Sequence, residues 1–333
     1  MHKDLIERIR KMAAYLEPGA IAEAVNLPVD VVRDVLEGRI EADEDGGDRA
    51  APVKVVEKAR FVRNQTVTAI SPGGGTGKTT VLTSLALAAA TRAPGGRPVI
   101  LADLAEHARA AMLLGVPYRI EAFTVLDWSF QPASEAHPEL DNLRIIAGVP
   151  TVDAHQRIAG DLASIIGSLQ RQAELLLVDA PVAPEPRDAV LTAADTVLIV
   201  CPPHPVYLAG VVQLLPTLRR LDIEDKCLLV FNRVGCHGGL TPQACRQELR
   251  SYGDLIDGLE PMLDNFVVVP EEPRVWEHLG TRKWPVVLVE PDKPYVRAVV
   301  ELLETHICPH WRKTEENTGG LGGLLKRFGF VGR

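Results

Sequence analysis

The five cysteines of this chain, at positions 201, 227, 236, 245 and 308, form no CxxC pair and no even, closely spaced framework. Neither a disulfide scaffold nor a zinc ribbon is indicated, and a reducing cytoplasm fits best. No apolar core follows Met1-His2-Lys3-Asp4, and no run approaches the roughly 18 apolar residues that span a bilayer. The chain is therefore expected to be neither secreted nor membrane-spanning. Positive charge is scarce: 36 Lys and Arg against 44 Asp and Glu leave a net charge of -8. That balance argues against a surface coated for nucleic-acid binding, so any DNA contact has to be local or dependent on assembly. Apolar residues are plentiful: 46% hydrophobic against 24% charged is ample for one large core and a small accessory unit, and excludes a fully disordered chain.

Residues 1 to 40 read as three short helices, and apolar positions recur at helical spacing from Ala20 to Leu36. Asn26-Leu27-Pro28 interrupts that spacing with a turn and a proline at a helix start, the pattern of a helix-turn-helix. The acidic, Gly-containing stretch from Glu41 to Asp48 cannot bury itself and reads as a linker, with the lead-in extending to residue 62. From 63 to 308, short runs of Val, Ile and Leu alternate with helix-like segments. Candidate strands are Thr66 to Ser71, Pro98 to Ala102, Leu143 to Ala147, Leu175 to Asp179, Thr196 to Cys201, Cys227 to Phe231 and Phe266 to Val269. Continuous apolar strands separated by helical crossovers predict an α/β domain, a mostly parallel sheet with helices on both faces. Ligands of such sheets sit at the carboxyl ends of the strands.

From Ser71 to Thr80 the chain reads Ser-Pro-Gly-Gly-Gly-Thr-Gly-Lys-Thr-Thr. Counted from Pro72 it has the length of the G-x-x-x-x-G-K-[ST] phosphate loop with proline for the first glycine; counted from Gly73 it is one residue short. The chemistry survives either count. Gly73, Gly74, Gly75, Thr76 and Gly77 let backbone N–H groups converge on phosphate oxygens, Lys78 supplies charge, and the Thr79 hydroxyl is suited to ligate Mg²⁺. Thr80 completes the nucleotide-binding run. A strand before the loop and an apolar helix from Val81 to Ala90 after it put the phosphates at a helix N-terminus. ATP with Mg²⁺ is the expected cofactor.

Residues 66 to about 305 resemble the MinD/ParA family of deviant Walker-A P-loop ATPases. Leu175 to Pro181 is similar to the family's second acidic strand, which implies that Asp179 holds the Mg²⁺ shell through water. Val99 to Asp103 is similar to the strand entering its first switch, which gives Asp103 a metal and catalytic role beside Lys78. Leu228 to Arg233 resembles the segment whose asparagine recognises adenine, making Asn232 the base reader. The stretch from Val267 through Pro270 to Gly280 and Pro285 resembles the loop that closes over the base. Each residue also has a plain alternative: an Asp at a strand end caps the next helix, and an Asn after a strand serves a turn.

Two departures stand out. The family's signature lysine, five residues before the phosphate-loop lysine, reaches the partner's phosphates across a dimer; here that position is Gly73. The family's D-x-D pattern reads Asp103-Leu104-Ala105, with Glu106 next, either a catalytic substitute or a solvated carboxylate. Together they imply an ATP-state homodimer that hydrolyses slowly or only with a partner.

At the N-terminal end, the helix beginning at Pro28 offers Arg33 and Arg39 against Asp30, Asp34 and Glu37, which leaves DNA contact and protein docking both open. Residues 309 to 320 read as a flexible linker. Beyond it, Leu321, Leu324, Leu325, Phe328 and Val331 recur along one side of a helix, with Lys326 and Arg327 off that stripe. This resembles the amphipathic membrane anchor of the family, which implies peripheral contact with the inner face of the cell membrane; groove docking and disorder are the alternatives. The expected function is spatial positioning, in cell division, partition or pilus and flagellar assembly. A non-hydrolysing scaffold and a metallocentre-maturation ATPase are the other readings.

Overall fold

The computed structural model describes residues 6, 9–10, 12–13, 18–25, 27–39, 64–105, 109–114, 135–137, 140–146, 161–256, 260–277 and 285–312. The chain divides into two compact units, Met1–Phe61 and Val62–Arg333. Glu106, Gly280 and the apolar tail residues Leu321, Leu324, Leu325, Phe328 and Val331 lie outside the described residues.

The first unit contains helices α1 (Pro18–Val25) and α2 (Val29–Leu36). Ile21 and Ala22 of α1 and Val32 and Val35 of α2 bury together with Ile6 and Ile9. The interruption at Leu27 and Pro28 is as expected: Pro28 carries φ -57 and ψ 143 immediately before α2, where its missing N–H has no helical acceptor to lose. Arg39 is engaged by Asp34 at 2.6 Å and by Glu37.

The second unit runs β1 (Gln65–Ile70), α3 (Lys78–Ala90), β2 (Val99–Asp103), α4 (Arg109–Leu113), β3 (Glu135–His137), β4 (Leu140–Ile146), α5 (Leu162–Gln172), β5 (Leu175–Asp179) and α6 (Pro184–Ala193). It continues with β6 (Thr196–Cys201), α7 (Pro205–Leu221), β7 (Cys227–Val234), α8 (Pro242–Arg250), α9 (Glu260–Asp264), β8 (Val267–Pro270), α10 (Val286–Val289) and α11 (Pro294–Glu301). The eight strands form one sheet in the order β3-β4-β2-β5-β1-β6-β7-β8. All neighbours pair in parallel except β3 with β4. Only two residues separate His137 from Leu140, too few for a crossover, so this pair has to be antiparallel.

All seven expected strands are present, and β3, a Glu-Ala-His tripeptide, is the addition. Two strands are longer than expected: β4 begins at Leu140 and β7 runs on to Val234, because each edge residue gains a ladder partner that apolar composition does not announce. In the central strands β1, β2, β5, β6 and β7, alternating residues bury on opposite faces. Leu175 and Leu177 of β5 join α3, α10 and α11 on one side, while Leu176 and Val178 join α5 on the other. Burial on both faces is why these strands read as unbroken apolar runs. Strand β1 lies between β5 and β6. The chain leaving β1 turns toward β2 and the chain leaving β6 turns toward β7, so a crevice opens at the carboxyl end of β1.

Candidate functional site

Residues 71 to 77 leave the carboxyl end of β1 and deliver the chain into the N-terminus of α3. Gly75 and Gly77 have φ values of 73 and 93, a left-handed region that side chains adopt only with strain. Gly77 is the N-cap of α3, and no side chain caps the helix there. The first N–H groups of a 13-residue helix are thus turned toward the loop, where a phosphate is the natural acceptor.

Within the loop, Lys78 Nζ donates to Ser71 Oγ at 2.9 Å, and Ser71 Oγ donates to the Gly73 carbonyl at 2.7 Å. Thr79 Oγ1 donates to Asp179 Oδ2 at 2.6 Å. Thr80 is buried one residue further along α3, and its carbonyl accepts from Thr83 Oγ1. Thr76 Oγ1 is buried with no hydrogen-bond partner among the described residues, an orphaned hydroxyl inside a loop of phosphate-binding type. Opposite the glycines, α7 comes close: a Cβ at Gly210 would stand 2.5 Å from Pro72 Cβ, and one at Gly73 would stand 3.5 Å from the Tyr207 ring.

Asp103 and Asp179 end adjacent strands in register. Asp103 is fully buried, with Oδ1 accepting from Ala105 N–H at 3.3 Å and Oδ2 from Ala110 N–H at 2.8 Å. Both carboxylate oxygens thus accept from backbone N–H groups beyond the end of β2. Asn232, on β7, is 4% exposed and donates through Nδ2 to the Thr76 carbonyl at 2.8 Å. Val269 pairs with Asn232 and Pro270 with Val234 across β7 and β8, which brings Pro270 to the same end of the sheet.

The described site residues, Gly73 to Thr80 with Asp103, Asp179, Asn232 and Pro270, thus collect at the carboxyl ends of β1, β2, β5, β7 and β8. Residue type and spacing do not point to Ser71 in its bridging role, to Tyr207 or to Gly210 as parts of the site. Only Gly210 carries a local signal, a glycine in the interior of a helical pattern.

The residues fit Mg²⁺ and a nucleoside triphosphate. A hydroxyl and a carboxylate meet beneath a glycine loop, where Thr79 would ligate the ion and Asp179 would hold its water shell; the ion would supply charge neutralisation at the phosphates. Cys201 and Cys227 do not offer comparable chemistry. Burial pushes the thiols of Cys201 and Cys227 up to about 12, which disfavours the thiolate that binds metal.

No family model matches the chain, and no curated protein does. Solved structures do match. The septum site-determining protein MinD of Pyrococcus horikoshii, complexed with Mg-ADP, is 21% identical and superposes with a TM-score of 0.57, over 72% of this chain and 95% of that one. A ParA family ATPase from Chlorobium tepidum reaches a TM-score of 0.58 at 15% identity, over 73% and 99%. The chain has the MinD/ParA ATPase fold. The MinC:MinD cell division protein complex of Aquifex aeolicus matches with a TM-score of 0.52 at 20% identity, over 71% and 93%. The MinD/ParA fold therefore accounts for nearly all of each of these structures and leaves about a quarter of this chain outside it.

Proposed function

We propose that this chain is an ATP-binding switch of MinD/ParA type, a nucleotide-dependent homodimer that positions a protein partner and hydrolyses ATP slowly or only when that partner is present. The observation that carries the reading is the 2.6 Å contact between Thr79 and Asp179 beneath a glycine loop at the N-terminus of α3. The similar MinD from P. horikoshii is complexed with Mg-ADP, and the similar A. aeolicus structure is a MinC:MinD complex, which supports Mg²⁺, adenine nucleotide and a protein partner for this chain as well. Septum-site placement, partition and pilus or flagellar assembly are the processes such a switch serves.

Slow turnover follows from two features. Gly73 supplies no charge at the signature-lysine position, and the carboxylate of Asp103 is engaged by two backbone N–H groups. The same features favour a second reading, a scaffold that binds nucleotide without hydrolysing it. Size-exclusion with light scattering in apo, ADP and ATP states, beside phosphate release, separates the two. An ATP-specific dimer with slow release supports the switch; an oligomeric state indifferent to nucleotide supports the scaffold and rejects the switch.

The two ends supply the address. In the amphipathic reading, the stripe Leu321, Leu324, Leu325, Phe328 and Val331 holds the dimer peripherally at the inner face of the cell membrane, because two weak anchors act together. Among the described residues no helix is long and apolar enough to cross a membrane. Arg39 is engaged by Asp34 and Glu37, which supports protein docking over DNA contact for the N-terminal helices. Co-sedimentation with liposomes, with and without residues 321 to 333, and a gel shift at low salt test these assignments.

A further inference from the structure

Near its end, β7 departs from regular pairing. Its register against β8 shifts between Asn232 and Val234, Arg233 takes a φ of 64, and the Arg233 guanidinium pairs with Glu271 at 3.0 Å. The Glu271 N–H continues the pairing to the Val234 carbonyl at 2.9 Å. Just before this irregularity, the Asn232 side chain meets the phosphate loop, with Nδ2 donating to the Thr76 carbonyl at 2.8 Å. Both residues are buried, at 4% and 1% exposure. The same Nδ2 stands 2.3 Å from where a Cβ on Gly77 would lie, so the approach requires glycine at that position. The Asn232 carboxamide thus grips the peptide between Thr76 and Gly77, the one that leads into Lys78.

We propose that Asn232 is a positioning residue for the phosphate loop, which clamps the 76–77 peptide before any base arrives. The proposal rests on the nucleotide-binding reading and extends it. A loop with glycine at 73, 74, 75 and 77 has wide backbone freedom, whereas phosphate capture needs the N–H groups to converge in one arrangement. A loop held in that arrangement beforehand loses less entropy when the phosphates bind. The Thr76 carbonyl is a buried acceptor, and without Asn232 it would lack this donor. A residue that only reads the base would leave the affinity for a bare triphosphate unchanged. A clamp makes that affinity depend on Asn232.

The test uses inorganic tripolyphosphate with Mg²⁺, a ligand with neither base nor sugar, beside ATP. Binding is measured by calorimetry on the full chain and on Asn232→Ala and Asn232→Leu, the second keeping much of the side-chain volume without the N–H and without adding charge. The clamp predicts roughly tenfold weaker tripolyphosphate binding in both variants, from one lost hydrogen bond to a buried carbonyl. ATP binding that weakens while tripolyphosphate binding stays unchanged overturns it and leaves Asn232 a base reader. Amide exchange in the nucleotide-free protein provides a second arm. The N–H groups of Gly77 and Lys78 should exchange at least roughly tenfold faster in a folded variant, by the same lost bond, and unchanged exchange overturns the clamp. Wild-type protein that binds neither ligand removes the nucleotide reading itself, and the exchange arm then decides on the clamp alone.

Discussion

Thr79 Oγ1 donates to Asp179 Oδ2 across 2.6 Å, joining the first turn of α3 to the end of β5 over 100 positions of sequence. Asp179 is 1% exposed, so this hydroxyl is a neighbour the carboxylate cannot exchange freely for water. Thr79→Ala should destabilise the domain by about 1–3 kcal/mol, the range for leaving a buried acceptor short of a partner. It should also flatten the dependence of ATP affinity on Mg²⁺. Urea unfolding and calorimetry with and without Mg²⁺ check both, and an unaltered Mg²⁺ dependence would remove Thr79 from the ion's coordination.

Gly77 and Gly74 make a matched pair for substitution. Alanine at Gly77 meets both a φ of 93 and the Asn232 amide nitrogen at 2.3 Å, whereas alanine at Gly74 meets nothing within 4 Å. Gly77→Ala should cost about 1–3 kcal/mol of stability through backbone strain alone and should weaken ATP binding strongly. Gly74→Ala should fold like the wild type. Equal thermal midpoints for the two variants would contradict the geometry.

The contrast between these glycines marks how far the sequence can be read. The central parallel strands β2, β5, β6 and β7 are legible because burial on both faces demands unbroken apolar runs such as Leu175 to Val178. Strand β3 is not, since Glu-Ala-His carries no such run and pairs only because a two-residue connection returns it to β4. In the site, Lys78, Thr79 and Asp179 announce themselves by residue type and position. The grip of Asn232 on Thr76 does not, because its acceptor is a backbone carbonyl that every residue possesses. The Ala105 and Ala110 N–H groups from which Asp103 accepts are equally invisible in the sequence, because every non-proline residue carries one. The closeness of Gly210 to Pro72 depends on how α7 lies against the loop, which no local pattern encodes.

Gly73→Lys returns a cation to the position where the resembling family carries one. A side chain there would begin 3.5 Å from the Tyr207 ring, an ordinary contact, so the fold should accept it. In an ATP-state dimer the added charge should raise the hydrolysis rate by roughly 10²-fold, the scale of one well-placed stabilising group. Phosphate release measured against protein concentration checks this, because a trans effect grows with dimer formation. A rate that stays at the wild-type level would show that the absence of lysine is not what limits turnover.

At Gly210 the prediction concerns the loop rather than the sheet. A Cβ there would press on Pro72 Cβ at 2.5 Å and on the Pro72 carbonyl at 3.3 Å, and Pro72 has little room to turn because its ring fixes φ. Gly210→Ala should therefore displace the start of the phosphate loop and weaken ATP binding by about tenfold or more, as small misplacements of a positioned site do. The helix itself should gain up to about 1 kcal/mol from the added propensity. Lower affinity without a lower thermal midpoint is the expected signature, and unchanged affinity would detach α7 from the site.

Alkaline pH should unfold this domain through groups that are buried in their neutral forms. Burial pushes Tyr295 up to about 12 from 10.0, against the opposing effect of its 2.8 Å hydrogen bond with Ser84. Burial likewise pushes Cys308 up to about 12 from 9.0. Each folded-state pKa is raised, so the native state holds its proton where the unfolded chain releases it. The stability these groups contribute is complete below about pH 9 and declines as pH rises toward 12. Urea midpoints measured from pH 8 upward should fall across that window. Cys308→Ala should remove the part of the decline that begins near 9.0, and Tyr295→Phe the part that begins near 10.0. Midpoints that stay level through the window would mean that neither group is protected from water in the folded protein.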